Sequence, residues 1–239
     1  MERALMFPVR SLRQVGTTAS IFVALIALAI EAHAQTVTWG FNGAGGDGTW
    51  DQFTPNWFDG SQNFLWPSGG DAVFAGVSGG GVIAAGPVVS SMTFNTPGYS
   101  LRDSLYSGDH GLTITTNEDA TIWSTFFEST PGSVLIKDGP ATLTFYGINF
   151  LDTVQVEQGE MRFGFNSLRS SAVNLADAPG VTLSLLTAPR DVIVRALTGG
   201  GAAGGVVRPN EQSGTVTLHV DGGGIFGGRL EDNGSGILA

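Results

Sequence analysis

Few residues in this chain have the type and spacing for chemistry, and each can be weighed against its neighbours. Gly43-Ala44-Gly45-Gly46-Asp47-Gly48 satisfies G-x-G-x-x-G. A dinucleotide site needs a helix after that loop to present its N-terminus to the pyrophosphate. Thr49-Trp50-Asp51-Gln52-Phe53-Thr54-Pro55 follows and has no helical stripe. The same loop brushes the calcium nonapeptide G-G-x-G-x-D, with Asp47 and Asp51 as the acids, but that motif works as a stacked array and occurs once here. Gly76-Val77-Ser78-Gly79-Gly80 matches G-x-S-x-G, yet Val82-Ile83-Ala84-Ala85-Gly86-Pro87 is no helix start, as a nucleophile elbow requires.

His110 and His219 stand outside any zinc-binding spacing. The adjacent acids Glu118-Asp119 and Glu231-Asp232 are not catalytic pairs by adjacency, since strand neighbours point to opposite faces. Asp152, Glu157 and Glu160 are close in sequence and are the remaining candidates for a paired-carboxylate site. The expectation is a non-catalytic chain with no cofactor and no metal. The remaining ring-bearing residues concentrate in one segment. Residues 35–76 hold Trp39, Trp50, Trp57 and Trp66, four of the five tryptophans. Trp50, Trp57 and Trp66 suit either a cover for an apolar end or a carbohydrate platform, because an indole joins a large apolar face to one N–H.

The elements that must position these groups are short. In Ser133–Gly164 the runs Val134–Ile136, Ala141–Phe145 and Thr153–Phe163 are split by Asp138-Gly139-Pro140, Gly147-Ile148-Asn149 and Gln158-Gly159. Glycine and proline mark corners, because glycine reaches positive φ and proline fixes its own. Strand-like runs recur at Met92, Leu112, Val134, Val154, Val173, Val192 and Val216, close to every 20 residues. A second series is centred near Ile122, Leu143, Met161 and Thr182. The runs alternate apolar and polar residues, the period of a strand with one face buried.

Short strands in a fixed cycle predict an all-β fold, a right-handed parallel β-helix with an aromatic-rich N-terminal cap, in which stacking supplies both core and backbone pairing. An antiparallel sandwich is the rival, since its strand spacing is similar. The expected organisation is a cap region at 35–87 and coils at 88–239, with the clearest repeat at 133–164. Gly199–Val206 is expected to project as an exposed corner loop. The sequence after Val220 carries no recognisable cap, so either a partner covers the last coil or the chain is the front of a longer one.

Residues 1–34 read as a separate object. Arg3, Arg10 and Arg13 precede the apolar run Ile21–Ile30, and Ala32-His33-Ala34 fits a small-x-small cleavage site, so a secretory signal peptide is expected. Its removal takes three arginines and two glutamates and leaves 8 basic and 19 acidic residues. That balance excludes nucleic acid as a partner, since phosphate contacts need basic side chains. The mature chain is expected not to insert stably in a membrane. The chain has no cysteine, so stability must come from burial and backbone pairing. It has one lysine, Lys137. Asn233-Gly234-Ser235 fits a glycosylation sequon, relevant only in a host with that machinery.

Ser133–Gly164 resembles the autotransporter-associated β-strand repeat, also called the passenger-associated transport repeat, whose usual form is close to GLTKTGxGTLTLSGxNTYTGxTTVxxGTLxLG. Val134 to Phe145 occupies the first half, Tyr146-Gly147-Ile148-Asn149 stands where SGxN is usual, and Asp152 to Gly164 occupies the second half. Lys137, Gly139, Thr142, Leu143, Gly159 and Gly164 are the matching motif positions. Asp138, Ala141 and Phe150-Leu151-Asp152 depart from it. Ser90–Phe94, Pro97–Leu101, Gly46–Trp50 and Ser170–Leu175 are similar to segments flanking such repeats. The resemblance implies a right-handed β-helix, exported to the surface of a Gram-negative-type bacterium or beyond, as a stalk or adhesin-like passenger. It implies an outer-membrane translocator, or a host or environmental surface, as partner. It also implies that the repeat assists secretion, with Lys137 a signature residue at a strand end. The competing class is a carbohydrate-binding or polysaccharide-active β-helix.

Overall fold

The computed structural model describes residues 35–148, 151–164, 168, 171–186, 190–210, 214–234 and 236–239. The expected signal peptide, Asn149 and Phe150 of the repeat, Ser170 and the sequon residue Ser235 lie outside the described residues. The described residues all fall in the compact unit His33–Ala239.

The protein is a β-solenoid. Its strands begin with β1 (Thr36–Trp39), β2 (Gly48–Trp50), β3 (Trp57–Phe58), β4 (Asn63–Phe64), β5 (Gly70–Phe74) and β6 (Gly81–Phe94). They continue with β7 (Tyr99–Ser107), β8 (Leu112–Thr116), β9 (Ala120–Ile122), β10 (Thr125–Phe127), β11 (Val134–Asp138) and β12 (Leu143–Phe145). Next come β13 (Thr153–Val156), β14 (Glu160–Phe163), β15 (Ala172–Leu175), β16 (Thr182–Leu185) and β17 (Arg190–Gly199). The last are β18 (Val206–Pro209), β19 (Thr215–Gly223), β20 (Arg229–Leu230) and β21 (Ile237–Leu238).

Parallel ladders join each coil to the next. The first face stacks β1, β5, the end of β6, β8, β11, β13, β15 and the end of β17. The second stacks β2, the start of β6, β7, β9, β12, β14, β16, β18 and β20. A third face is formed where β7 pairs with β10, and again where β17 pairs with β19 and β19 with β21. Ser133–Gly164 therefore holds two successive coils on the first and second faces, β11–β12 and β13–β14, rather than an isolated strand-turn-strand unit.

Alternation sets the inside. On the first face Ala72, Met92, Ile114, Lys137, Val156 and Leu175 fall in one column by register, and all are buried. On the second face Tyr99, Ala120, Leu143, Met161, Leu183 and Val207 do the same. A β-solenoid buries its core only through such neighbours, so each coil depends on the ones beside it.

Three details differ from the sequence-based expectation. The boundary at 87/88 falls inside β6, which bends near Gly86, φ 76°, and pairs with β2 and β5 before it. Coil pairing thus starts within the segment expected to be only a cap. Val173 pairs with Leu197, not Val192; Val192 pairs with Leu218 on the third face. The long β17 carries both faces, which shifts the phase. Gly199–Val206 is a corner with Ala202 and Ala203 exposed, but it is tied down rather than projecting: Ala203 and Gly204 donate their N–H groups to Asp177 Oδ1 at 2.8 and 3.1 Å, and Gly204 and Gly205 are buried.

At the N-terminal end the outer edge of β1 is paired by β3, antiparallel, and β3 by β4. This hairpin covers an edge that would otherwise be free to pair with another chain. Among the described residues no helix is long and apolar enough to cross a membrane, a statement about helices only.

Candidate functional site

The corner between the first and second faces carries the repeat motif. Period two along Val134-Leu135-Ile136-Lys137-Asp138 puts Lys137 on the same side as Leu135, and both are fully buried. Lys137 stands in the inner column between Ile114 and Val156. Its alkyl stem replaces an aliphatic side chain, and its ammonium ends at the corner, the behaviour of a long amphipathic side chain. There Nζ donates to three carbonyls, those of Asp138 at 3.0 Å, Gly139 at 2.8 Å and Gln158 at 2.9 Å. Two belong to its own corner and one to the corner of the next coil. An ammonium has three donors and no acceptor, so the three bonds satisfy it.

The other motif residues surround this latch. Gly139, φ 81°, and Gly159, φ 65°, turn the chain on adjacent coils in a conformation that disfavours side chains. A Cβ on Gly139 would lie 2.5 Å from the Thr116 carbonyl oxygen, and one on Gly159 2.6 Å from that of Gly139. Thr142 donates its backbone N–H to Asp119 Oδ1 at 2.8 Å, and Leu143 is buried between Ala120 and Met161. Gly164 lies at the opposite corner, where the Tyr146 ring occupies the place of a side chain. The six positions thus serve two different corners and one inner column, and Thr142 and Gly159 also border one cavity.

Burial pushes the Lys137 ammonium down to about 8, opposed by the nearby charges of Asp138 and Asp119. The folded value lies below the unfolded one, so between about 8 and 10 the unfolded chain binds more protons than the folded chain. Stability therefore rises with pH in that window, by an amount on the order of 2 kcal/mol. Tyr99, whose hydroxyl is pushed above its ordinary value by burial, acts in the opposite sense only at higher pH. Urea unfolding of the wild type and Lys137→Met at pH 8 and pH 10 checks this. The rise is expected in the wild type and absent in the variant; equal pH profiles contradict it.

The tryptophans expected to form either a cap or a carbohydrate platform are inside. Trp50 and Trp57 are 0% exposed and Trp66 is 5%. Their rings meet one another at 4.6 to 4.9 Å between centroids, and Phe74 links them to Phe94 at 4.8 Å. A platform needs a free ring face, and these faces are spent on each other. The alternation that buries Trp39 and Phe74 in their strands also turns Trp50 and Trp57 inward.

The candidate acids and loops are likewise committed to structure. Asp47 Oδ1 accepts the Gly81 N–H at 2.5 Å, and Asp51 accepts the Phe53 and Thr54 N–H groups. Gly76 and Gly79, φ 82° and 75°, make turns around Ser78. His110 is exposed in a turn, and His219 Nε2 lies 3.5 Å from Asp191. Asp119 holds Thr142, Arg229 lies 3.2 Å from Glu231, and Asp232 accepts the Leu238 N–H.

Each of the three clustered acids has a partner. Asp152 pairs with Arg195 at 2.9 Å and Glu157 accepts a hydrogen bond from Gln155. Glu160 accepts from Arg162 at 2.8 Å, from Ser184 at 2.5 Å and from Arg208 at 3.5 Å. A cavity of about 820 Å³ opens beside Thr142, Glu157, Glu160 and Arg208. Burial works against the Glu160 charge, but the Arg162 and Ser184 hydrogen bonds and both arginine charges outweigh it and lower its pKa. A glycosidase acid must instead hold its proton near neutral pH.

The chain is similar to an adhesin, the BmaC autotransporter of Brucella suis biovar 1 (strain 1330). The two are 29% identical over 203 residues, which cover 74% of this chain and 6% of the BmaC protein. The chain thus spans a small part of the length of the relative it matches. No family model and no solved structure matches it.

Proposed function

We propose that this protein is an exported, non-catalytic, β-helical passenger, a stalk or adhesin-like rod displayed on a Gram-negative-type bacterial surface. The likeness to the BmaC autotransporter supports this reading, and the continuous parallel stacking through the described coils suits a stiff rod. An outer-membrane translocator would carry it outward. The repeat at Ser133–Gly164 would assist that step: each coil that folds outside presents an unpaired edge and an inner column to the next, so folding there draws the chain forward.

The experiment is protease accessibility of the protein on intact cells of its own host. Degradation by external protease without lysis is the expected result; protection until lysis overturns the reading. A register-matched deletion tests the repeat. Val134 pairs with Thr153, so removing residues 134–152 takes out one coil and joins Ser133 to the residue that replaces Val134. The shortened rod should fold, with circular dichroism still that of β-structure, while surface delivery falls several-fold. Unchanged delivery of the folded variant rejects the secretion role.

A further inference from the structure

The fifth tryptophan, absent from the aromatic segment, is the exposed one. Trp123 follows β9 at the corner between the second and third faces and is 46% exposed. Tyr146, one coil further on, stacks on it with ring centroids 4.1 Å apart and planes 14° apart. Tyr146 in turn lies over Gly164, where a Cβ would come within 2.4 Å of the ring. Backbone bonds lock this ladder: Trp123 donates its N–H to Leu101 and Tyr146 donates to Ile122, both at 2.7 Å. On the other side of Trp123, in the preceding coil, are Arg102 and Asp103. These two residues and Trp123, all exposed, line an open surface depression of about 360 Å³.

Asp103 Oδ1 accepts one long hydrogen bond, from the Ser104 hydroxyl at 3.5 Å. Arg162, Arg195, Arg208 and Arg229 each pair with a carboxylate. Among the described arginine side chains, Arg102 is the one with no such partner. Asp103, φ 85°, departs from the extended course of β7, a conformation that aspartate tolerates better than most residues. The chemistry of this trio selects a ligand. An anion would be attracted by Arg102 and repelled by Asp103 and by the chain's formal charge of −10. A cation would be attracted by Asp103 and repelled by Arg102. A neutral polyol satisfies both, because each hydroxyl donates to the carboxylate or accepts from the guanidinium. The flat indole, backed by Tyr146, matches the C–H face of a pyranose ring.

We infer that Trp123, Arg102 and Asp103 form a binding site for a neutral sugar residue of a glycan chain, with the ring on the Trp123 face. The site stands independently of how the chain is exported, so its test uses the purified protein in solution. Calorimetric titration with hexasaccharides of neutral glucose, mannose and galactose, and with a hexagalacturonate, reads it directly. Binding of at least one neutral probe is expected, weakened about tenfold by Trp123→Ala and several-fold by Arg102→Ala and Asp103→Asn, with thermal unfolding of each variant showing that the solenoid is intact. Trp123→Phe should retain part of the affinity. No binding of any neutral probe at millimolar concentration, binding of the acidic probe alone, or affinity unchanged in Trp123→Ala overturns the site. Protease protection on intact cells would overturn the proposed location and leave this result untouched.

Discussion

Trp57→Ala is expected to lower unfolding stability by about 4 kcal/mol, in the range for truncating a buried tryptophan. Trp57 is fully buried and touches Trp39, Trp50, Trp66 and Phe74 at centroid distances of 4.6 to 5.9 Å. It also belongs to β3, the strand that covers the edge of β1. Truncation would empty the centre of the aromatic cluster and loosen that cover together. Trp57→Phe is the informative companion. The Trp57 indole N–H is buried without a hydrogen-bond acceptor among the described residues, so phenylalanine removes a polar group that gains nothing there. Its cost should be near 1 kcal/mol, the loss of ring volume alone. Urea midpoints of the two variants check the contrast. A cost for Trp57→Ala below 1 kcal/mol would show that the cluster is not a packed core. Loss of glycan binding in Trp57→Ala would report unfolding rather than a sugar contact, whereas Trp123→Ala separates the two.

Lys137→Met should cost about 3 kcal/mol near pH 7. Methionine fills the aliphatic part of the column between Ile114 and Val156 but leaves the carbonyls of Asp138, Gly139 and Gln158 without the ammonium. A hydrogen bond to a charged group is worth about 1.5–3 kcal/mol, and three are lost; relief from burying a charge returns part of that sum. The effect should also be local in register. Gly139 and Gln158 sit on successive coils, so amide exchange should quicken in β11 and β13 before it does in β5 or β19. A variant as stable as the wild type would mean that the corner is held by the glycine turns alone.

Much of the architecture was legible because a solenoid writes its period into the chain. Alternation in Leu143–Phe145 agrees with its inward residues, and glycines at 139 and 159 mark the corners, but Val134-Leu135-Ile136 is apolar on both sides, so its pattern does not place Lys137 inside. Where coil length changes, the period misleads: Val192 follows Val173 at a regular interval, yet the ladder passes to Leu197 because β17 turns from one face to the next. Glu157 and Glu160 bond within their own strands, to Gln155 and Arg162, but Asp152 and Glu160 also draw Arg195 and Arg208 from other coils. Nothing in local spacing announces a partner some 40 residues away.

The aromatic residues divide the two sources most clearly. Composition and pattern alone determined an all-β chain with short strands, glycine corners, an acidic surface and a ring-rich first segment. They also singled out the lone lysine as a motif residue, without placing it inside. Only the tertiary structure decided which rings meet water. Four tryptophans close together in sequence pack on one another and vanish into the core, while Trp123, isolated in sequence, is left outside by a corner and stacked by a residue of the next coil. The physical reason is the same for Lys137. In a solenoid each side chain's surroundings come from the coils above and below it, so exposure, pairing and ionisation depend on stacking register, which no stretch of one coil contains.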